Sequence, residues 1–217
     1  MVDGLKNHRK TEQLLDRGMT VDEVQSLLTS PMGNRERAFF RAIYDTFYRA
    51  NELLSCNIEN YNKKTGELIA LHTKNKYNPK TKQYIKSPPK HMILSKPTQL
   101  LFKRIIGNRK KGPLFINKEG ERLSVTYLQM YINEVATSIG IQKVTHITPS
   151  GKEYHLVTLK GLRESGERHC DLSGADSEVT ARGAQHSAVV KEKYYKKAGW
   201  EEIQEQIKKY HPAFQEK

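Results

Sequence analysis

The sequence has only two cysteines, Cys56 and Cys170, far apart and with no Cys-x-x-Cys pair. That scarcity excludes a disulfide framework and a thiolate zinc site, so a reducing intracellular compartment is expected. No apolar run reaches spanning length, and the opening MVDGLKNHRK lacks the apolar stretch of a secretory signal, which leads us to expect a soluble, cytoplasmic protein. Internal repeats and low-complexity tracts are also missing. The most informative shortage is of negative charge: 37 Lys and Arg face 24 Asp and Glu, a formal +13 with a pI near 9.6. Between Leu68 and Lys118 there is no acidic residue, while thirteen Lys and Arg fall in that segment and equal the whole net charge. Such a one-sided field favours a polyanion, nucleic acid above all, over a membrane or a cationic substrate.

At 217 residues and 25.0 kDa the chain suits one sizeable domain with short appendages. Residues 1–19 are expected to form a leading segment with a short or frayed helix. Thr20 to Glu23 is a capping box, a hydroxyl followed three residues later by a carboxylate, and Val24, Leu27 and Leu28 supply the apolar face of the helix it opens. RERAFFRAIYDTFYRANELLS then places Phe39, Ile43, Phe47 and Leu54 at helical spacings, a core helix that carries or leads into Arg49, which by itself reads as a surface residue or an ion-pair partner of Glu52 three residues on. GELIALHTK, NPKTKQYIK and HMILS predict short strands of one small antiparallel sheet, its lysines on a solvated edge. PTQLLFKRIIGN predicts a helix with Leu100, Leu101, Ile105 and Ile106 toward a core, and residues 123–139 an amphipathic helix. IQKVTHITPSGKEYHLVTL suggests a hairpin, and AGWEEIQEQIKKY a closing helix within 198–217. The fold class expected is α+β and mainly helical.

The last third holds a group suited to phosphate chemistry. Lys160 and Arg163 lie three apart, so on a helix they share a face and could meet one anion. His186 follows, and Tyr195 stands nine residues beyond it. Taken with MTVDEVQSLL, with Arg49 and Glu52 in an Arg-x-x-Glu-Leu string, with HTK, with LKGLR and with GADSEVTARGAQHSAVVKEKYY, the chain resembles the catalytic domain of a tyrosine recombinase, or integrase, of the phage and archaeal or bacterial kind. The resemblance runs from about Met19 to Tyr195. It implies a catalytic unit over 20–197 with a helical core and a lysine-bearing β-hairpin. It departs from the family at Lys160, where the family's His-x-x-Arg box has histidine, and at Glu164, where many members have a second histidine. The resemblance also implies a separate helical core-binding domain ahead of the catalytic unit, where about twenty residues are expected to stand as a reduced form of it or as the edge of the catalytic part alone.

Breaking a phosphodiester without a metal needs a nucleophile, cations on the two non-bridging oxygens and a proton for the departing 5′ oxygen. The planar, permanently charged fork of arginine suits the second task, and the resemblance gives it to Arg49 and Arg163. Tyr195 is then the nucleophile, Lys74 the proton donor, His186 a hydrogen-bond donor to the phosphate and Lys160 a further cation, with no cofactor and no metal. Tyr194 remains an alternative to Tyr195, and Lys76 or Lys82 to Lys74. His72, His146, His155, His169, Tyr127 and Tyr131 are read as packing or surface residues. The expected partner is double-stranded DNA, engaged by a homo-oligomer, a tetramer, in a nucleoid-associated setting. Two other functions fit the same residues: relaxation of supercoils in the manner of a type IB topoisomerase, or a non-catalytic remnant that competes for recombination sites.

Overall fold

The computed structural model describes residues 18–71, 76–78, 83–85, 88–148, 150–184 and 200–215. Helix α1 (Val21–Thr29) opens on the expected capping box: the Thr20 hydroxyl accepts from the Glu23 amide at 3.1 Å, and the Glu23 carboxylate accepts from the Thr20 amide at 2.9 Å. Val24, Leu27 and Leu28 are buried beneath it. Helix α2 (Asn34–Thr46) is the centre of the molecule, with Ala38, Phe39, Phe40, Ala42, Ile43 and Tyr44 all fully buried. A helix apolar on so much of its circumference must be covered on several sides, and α4 and α6 lie against it.

The expected helix through Leu54 is broken. Phe47 takes a left-handed conformation (φ 54°), and a separate short helix α3 (Ala50–Ser55) starts after Arg49. No Gly or Pro marks this break, and Phe47 is the sole non-glycine residue with positive φ among those described. At the other end of α3, Arg122 donates to the Leu54 carbonyl and, at 3.0 Å, to the Cys56 carbonyl, which anchors carbonyls the helix cannot satisfy itself.

Strands β1 (Glu67–Ala70), β2 (Lys76–Asn78), β3 (Gln83–Ile85) and β4 (Lys90–Ile93) do not form the single sheet expected. Among the described residues, β1 pairs antiparallel with β4, and β2 with β3, as two separate ladders. Leu68 and Ala70 face the core as their alternation predicts. Lys90, expected on a solvated edge, is fully buried instead. Helix α4 (Lys96–Ile106) buries Leu101, Phe102 and Ile106, while Leu100 is 61% exposed and is not a core residue. Helix α5 (Val125–Ser138) starts where the Ser124 hydroxyl accepts from the Tyr127 amide at 3.1 Å. The hairpin in IQKVTHITPSGKEYHLVTL is present as β5 (Val144–Ile147) and β6 (Glu153–His155).

Helix α6 (Leu159–Leu172) packs along α2, and its close approach depends on Gly166, where an added Cβ would stand 2.4 Å from the Tyr44 carbonyl oxygen. Polar residues of α6 are buried with partners: His169 sits between the Tyr44 hydroxyl at 2.9 Å and the Met19 carbonyl at 2.8 Å. Helix α7 (Ser177–Ala184) and helix α8 (Trp200–Tyr210) pack together, with Ile203 and Ile207 buried and Gln204 donating to the β4 carbonyl of His91 at 3.1 Å. No helix among the described residues is long and apolar enough to cross a membrane.

Candidate active site

The turn at Phe47 does two things at once. It presents the Phe47 carbonyl to α6, where Arg163 donates to it from Nε at 2.6 Å, and it sets Arg49 at the N-terminus of α3. Three residues on, the Glu52 side chain folds back and accepts from the Arg49 amide at 2.9 Å and from its guanidinium Nη1 at 2.8 Å. The ion pair anticipated between Arg49 and Glu52 is therefore formed. Glu52 is completely buried, and a lone carboxylate there would be severely destabilised.

Its second partner comes from β4. Lys90 Nζ donates to the other Glu52 oxygen at 2.9 Å, with both side chains fully buried, and lies 5.6 Å from the centre of the Tyr48 ring. The Tyr48 hydroxyl fixes the strand pair beneath, 2.6 Å from the Leu68 carbonyl of β1 and 2.8 Å from the Lys90 carbonyl of β4. The Ala184 carbonyl, the last of α7, accepts from Arg163 Nη2 at 2.5 Å and from Lys90 Nζ at 3.4 Å. Arg49 and Lys90 thus share the Glu52 carboxylate, and Arg163 joins Lys90 at the Ala184 carbonyl.

The electrostatics follow from that crowding. Burial pushes the Lys90 ammonium down to about 8, although Glu52 pulls the other way, and the charges of Arg163 and Arg49 depress it further. Arg163 is lowered first by burial and then by the charge of Arg49. For Glu52, burial works to raise the carboxyl, but the charge and hydrogen bond of Lys90 and the hydrogen bonds of Arg49 prevail and hold it below its usual range. The cluster sets three cations beside the Glu52 carboxylate, with the charges of Glu167 and Glu164 also acting on Arg163, and Arg49 is about a third exposed at its side chain.

Lys160 is not drawn into this group. It lies one turn before Arg163 on α6, is 75% exposed at its side chain and pairs with Glu164 at 3.3 Å. Arg163 points inward while Lys160 stays at the surface, so the shared helical spacing does not by itself place them on one anion. Lys74, His186 and Tyr195 lie outside the described residues, as do the alternatives Tyr194 and Lys82. Two residues of the site escaped the sequence reading of catalytic candidates: Glu52, seen only as an ion-pair partner, and Lys90. For Lys90 the period of two was a usable signal, since it shares a strand face with the fully buried Met92. No group of three or more His, Cys, Asp or Glu among the described residues is placed to hold a metal ion.

No family model matches the chain. Its sequence is 25% identical over 218 residues to the tyrosine recombinase XerC of Thermodesulfovibrio yellowstonii, an alignment that covers 95% of this chain and 66% of that protein. Among solved structures it superposes on the integrase from mycobacterium phage Brujita with a TM-score of 0.67 at 13% identity, over 94% of this chain and 61% of the integrase. It also superposes on the Tn1549 transposon integrase, solved in complex with transposon right end DNA, with a TM-score of 0.60 at 15% identity, over 92% and 67% of the two chains. The chain therefore spans about two thirds of the length of these proteins. Its fold is theirs, α+β and mainly helical with small antiparallel ladders, and its sequence resembles that of the tyrosine recombinases.

Proposed function

We propose that this chain, built on the fold of the tyrosine recombinases, is the catalytic part of an enzyme that cuts and rejoins double-stranded DNA at specific sites through a 3′-phosphotyrosyl intermediate, without metal or ATP. The observation that carries the reading is the gathering of two arginines and a lysine in one place, Arg49 and Lys90 on the buried Glu52 and Arg163 with Lys90 on the Ala184 carbonyl. A phosphodiester has one negative charge and a five-coordinate phosphorane two. A cationic pocket stabilises the second state more than the first, which is the condition for catalysis.

In this reading Arg49 and Arg163 take the non-bridging oxygens, and their field favours the phenolate of Tyr195. The tyrosyl oxygen bonds to phosphorus as the bond to the 5′ oxygen breaks, Lys74 gives that oxygen its proton, and His186 hydrogen-bonds the phosphate. Lys160, at the surface with Glu164, contributes a cation at the rim once DNA competes for it. The phosphotyrosyl ester keeps the energy of the broken bond, so another 5′ hydroxyl can reverse the step. Residues 20–197 form the catalytic unit, and assembly as a tetramer on DNA brings the strands together.

The test is covalent capture. The chain is incubated with a pool of nicked duplexes of randomised sequence, in which a cleaved strand loses its short 5′-hydroxyl fragment and cannot be resealed. A denaturation-resistant adduct should form, with the modified peptide identified by mass spectrometry as the one containing Tyr195. If Tyr195→Phe yields as much adduct as the original chain, the assignment of the nucleophile is wrong.

A further inference from the structure

Lys90 is a fully buried cation whose role the chemistry above leaves open. Its side chain has no exposed surface, so it cannot touch a phosphate directly. It binds Glu52 at 2.9 Å, and Glu52 in turn holds the Arg49 amide and guanidinium. It also reaches the Ala184 carbonyl at 3.4 Å, which Arg163 holds at 2.5 Å and which directly precedes the segment bearing His186 and Tyr195. Its own position is set from below by Tyr48, whose hydroxyl bridges the carbonyls of Leu68 and Lys90, and by the β1–β4 ladder in which Lys90 faces Ala70.

We infer that Lys90 is a positioning residue for strand cleavage, neutralising Glu52 so that Arg49 keeps its charge for the phosphate, and fixing the Ala184 end of α7 against Arg163. The inference rests on the recombinase reading and deepens it. Without the ammonium, the Glu52 carboxylate would have Arg49 as its main counter-charge and would compete with DNA for that guanidinium. The Ala184 carbonyl would keep its bond from Arg163 and lose the one from the ammonium.

The experiment uses the nicked duplex selected from the randomised pool by covalent capture with the original chain. Lys90→Met should bind this duplex within about threefold of the original Kd while its single-turnover cleavage rate falls by about 10- to 100-fold, the scale on which misplaced catalytic groups lose rate. A duplex with sulfur in place of the scissile 5′ oxygen separates this role from proton donation, because the thiolate leaves without a proton. The Lys90→Met defect should persist on that substrate. Rescue there would make Lys90 the proton donor and overturn the inference, and so would a wild-type rate on the ordinary duplex.

The double variant Lys90→Met, Glu52→Gln guards against a fold defect, since it removes the opposed charges together. It should cleave at least about tenfold faster than Lys90→Met alone, because the competing carboxylate is gone. A double variant no faster than the single one would also overturn the inference. Failure of the original chain to give any adduct would instead overturn the recombinase reading itself, so the two failures are distinct.

Discussion

Gly166→Ala tests how tightly the position of Arg163 depends on the packing of α6 against α2. A Cβ at residue 166 would lie 2.4 Å from the Tyr44 carbonyl oxygen, 3.1 Å from the Tyr44 ring and 3.2 Å from the Phe47 ring. A carbon and a carbonyl oxygen rest at about 3.3 Å or more, so the helices must part by roughly 1 Å. The obstacle is backbone in the last turn of α2, not the tip of a flexible side chain, and the strain cannot be relieved by a rotamer change. Overpacking of this size costs about 1–3 kcal/mol, against which alanine gains about 1 kcal/mol in helix propensity. The net loss of up to about 2 kcal/mol should lower the melting temperature by up to roughly 4–8 °C for a chain of this length. Residue 166 is three positions from Arg163 and on the same face of α6, so the shift should reach the contact between Arg163 and the Phe47 carbonyl. A displacement near 1 Å corresponds to a loss of up to about 100-fold in single-turnover cleavage. Differential scanning calorimetry and capture kinetics on the nicked duplex measure the two effects. An alanine variant with unchanged melting and unchanged cleavage would refute the claim that this helix contact sets the site.

Arg163→Lys should bind duplex DNA but lose about 10²- to 10³-fold in adduct formation, because one ammonium cannot serve both the Phe47 and Ala184 carbonyls and the phosphate; rates within threefold of the original chain would refute this. Thr20→Ala removes the acceptor for the Glu23 amide and should destabilise the chain by about 1 kcal/mol in urea unfolding with no change in cleavage by the folded protein. His211 is fully buried against Tyr44, Phe47 and Phe214, and burial pushes its imidazole down to about 3, so from pH 6.5 downward the unfolded chain holds a proton that the folded chain lacks. Stability should therefore fall as pH falls, by about 3 kcal/mol from this group at pH 4, while Asp45, raised to about 6 by burial, contributes in the opposite sense as it takes up its proton. His211→Asn, which retains an acceptor for the Ala213 amide, should lose much less stability than the original chain between pH 6.5 and 4; parallel curves from denaturant titrations would refute the assignment.

The parts of the fold legible in the sequence were those decided within a few residues. The capping box at Thr20 and the apolar period of α5 depend on neighbours along the chain, and both are formed. The errors arose where the deciding partner is remote. Leu100 and Leu101 are adjacent, and only the placement of α4 on α2 selects Leu101 for the core. The break at Phe47 has no local signal; the conformation is held by contacts such as the one its carbonyl makes with Arg163, 116 residues away. Lys90 looked like one more lysine of a basic edge because Glu52, the carboxylate that justifies its burial, stands 38 residues earlier in a different element. Arg49 and Arg163 were nameable as candidates from their strings, whereas their closeness is a property of the tertiary structure.

These long-range features share one location, and that bears on why the fold tolerates them. A left-handed phenylalanine, a buried lysine and two mutually repelling arginines each work against stability, and Glu52 offsets only part of the repulsion. A chain under selection for stability alone would replace Lys90 and Glu52 with apolar residues of similar volume. Retaining them makes sense if the remaining positive charge is relieved by an anion that binds the native state and so restores the stability the empty pocket lacks. In the proposed reaction the repulsion among these cations falls as negative charge accumulates at phosphorus, so their cost to the fold and the stabilisation of a dianionic phosphorane would be two aspects of one arrangement of charges.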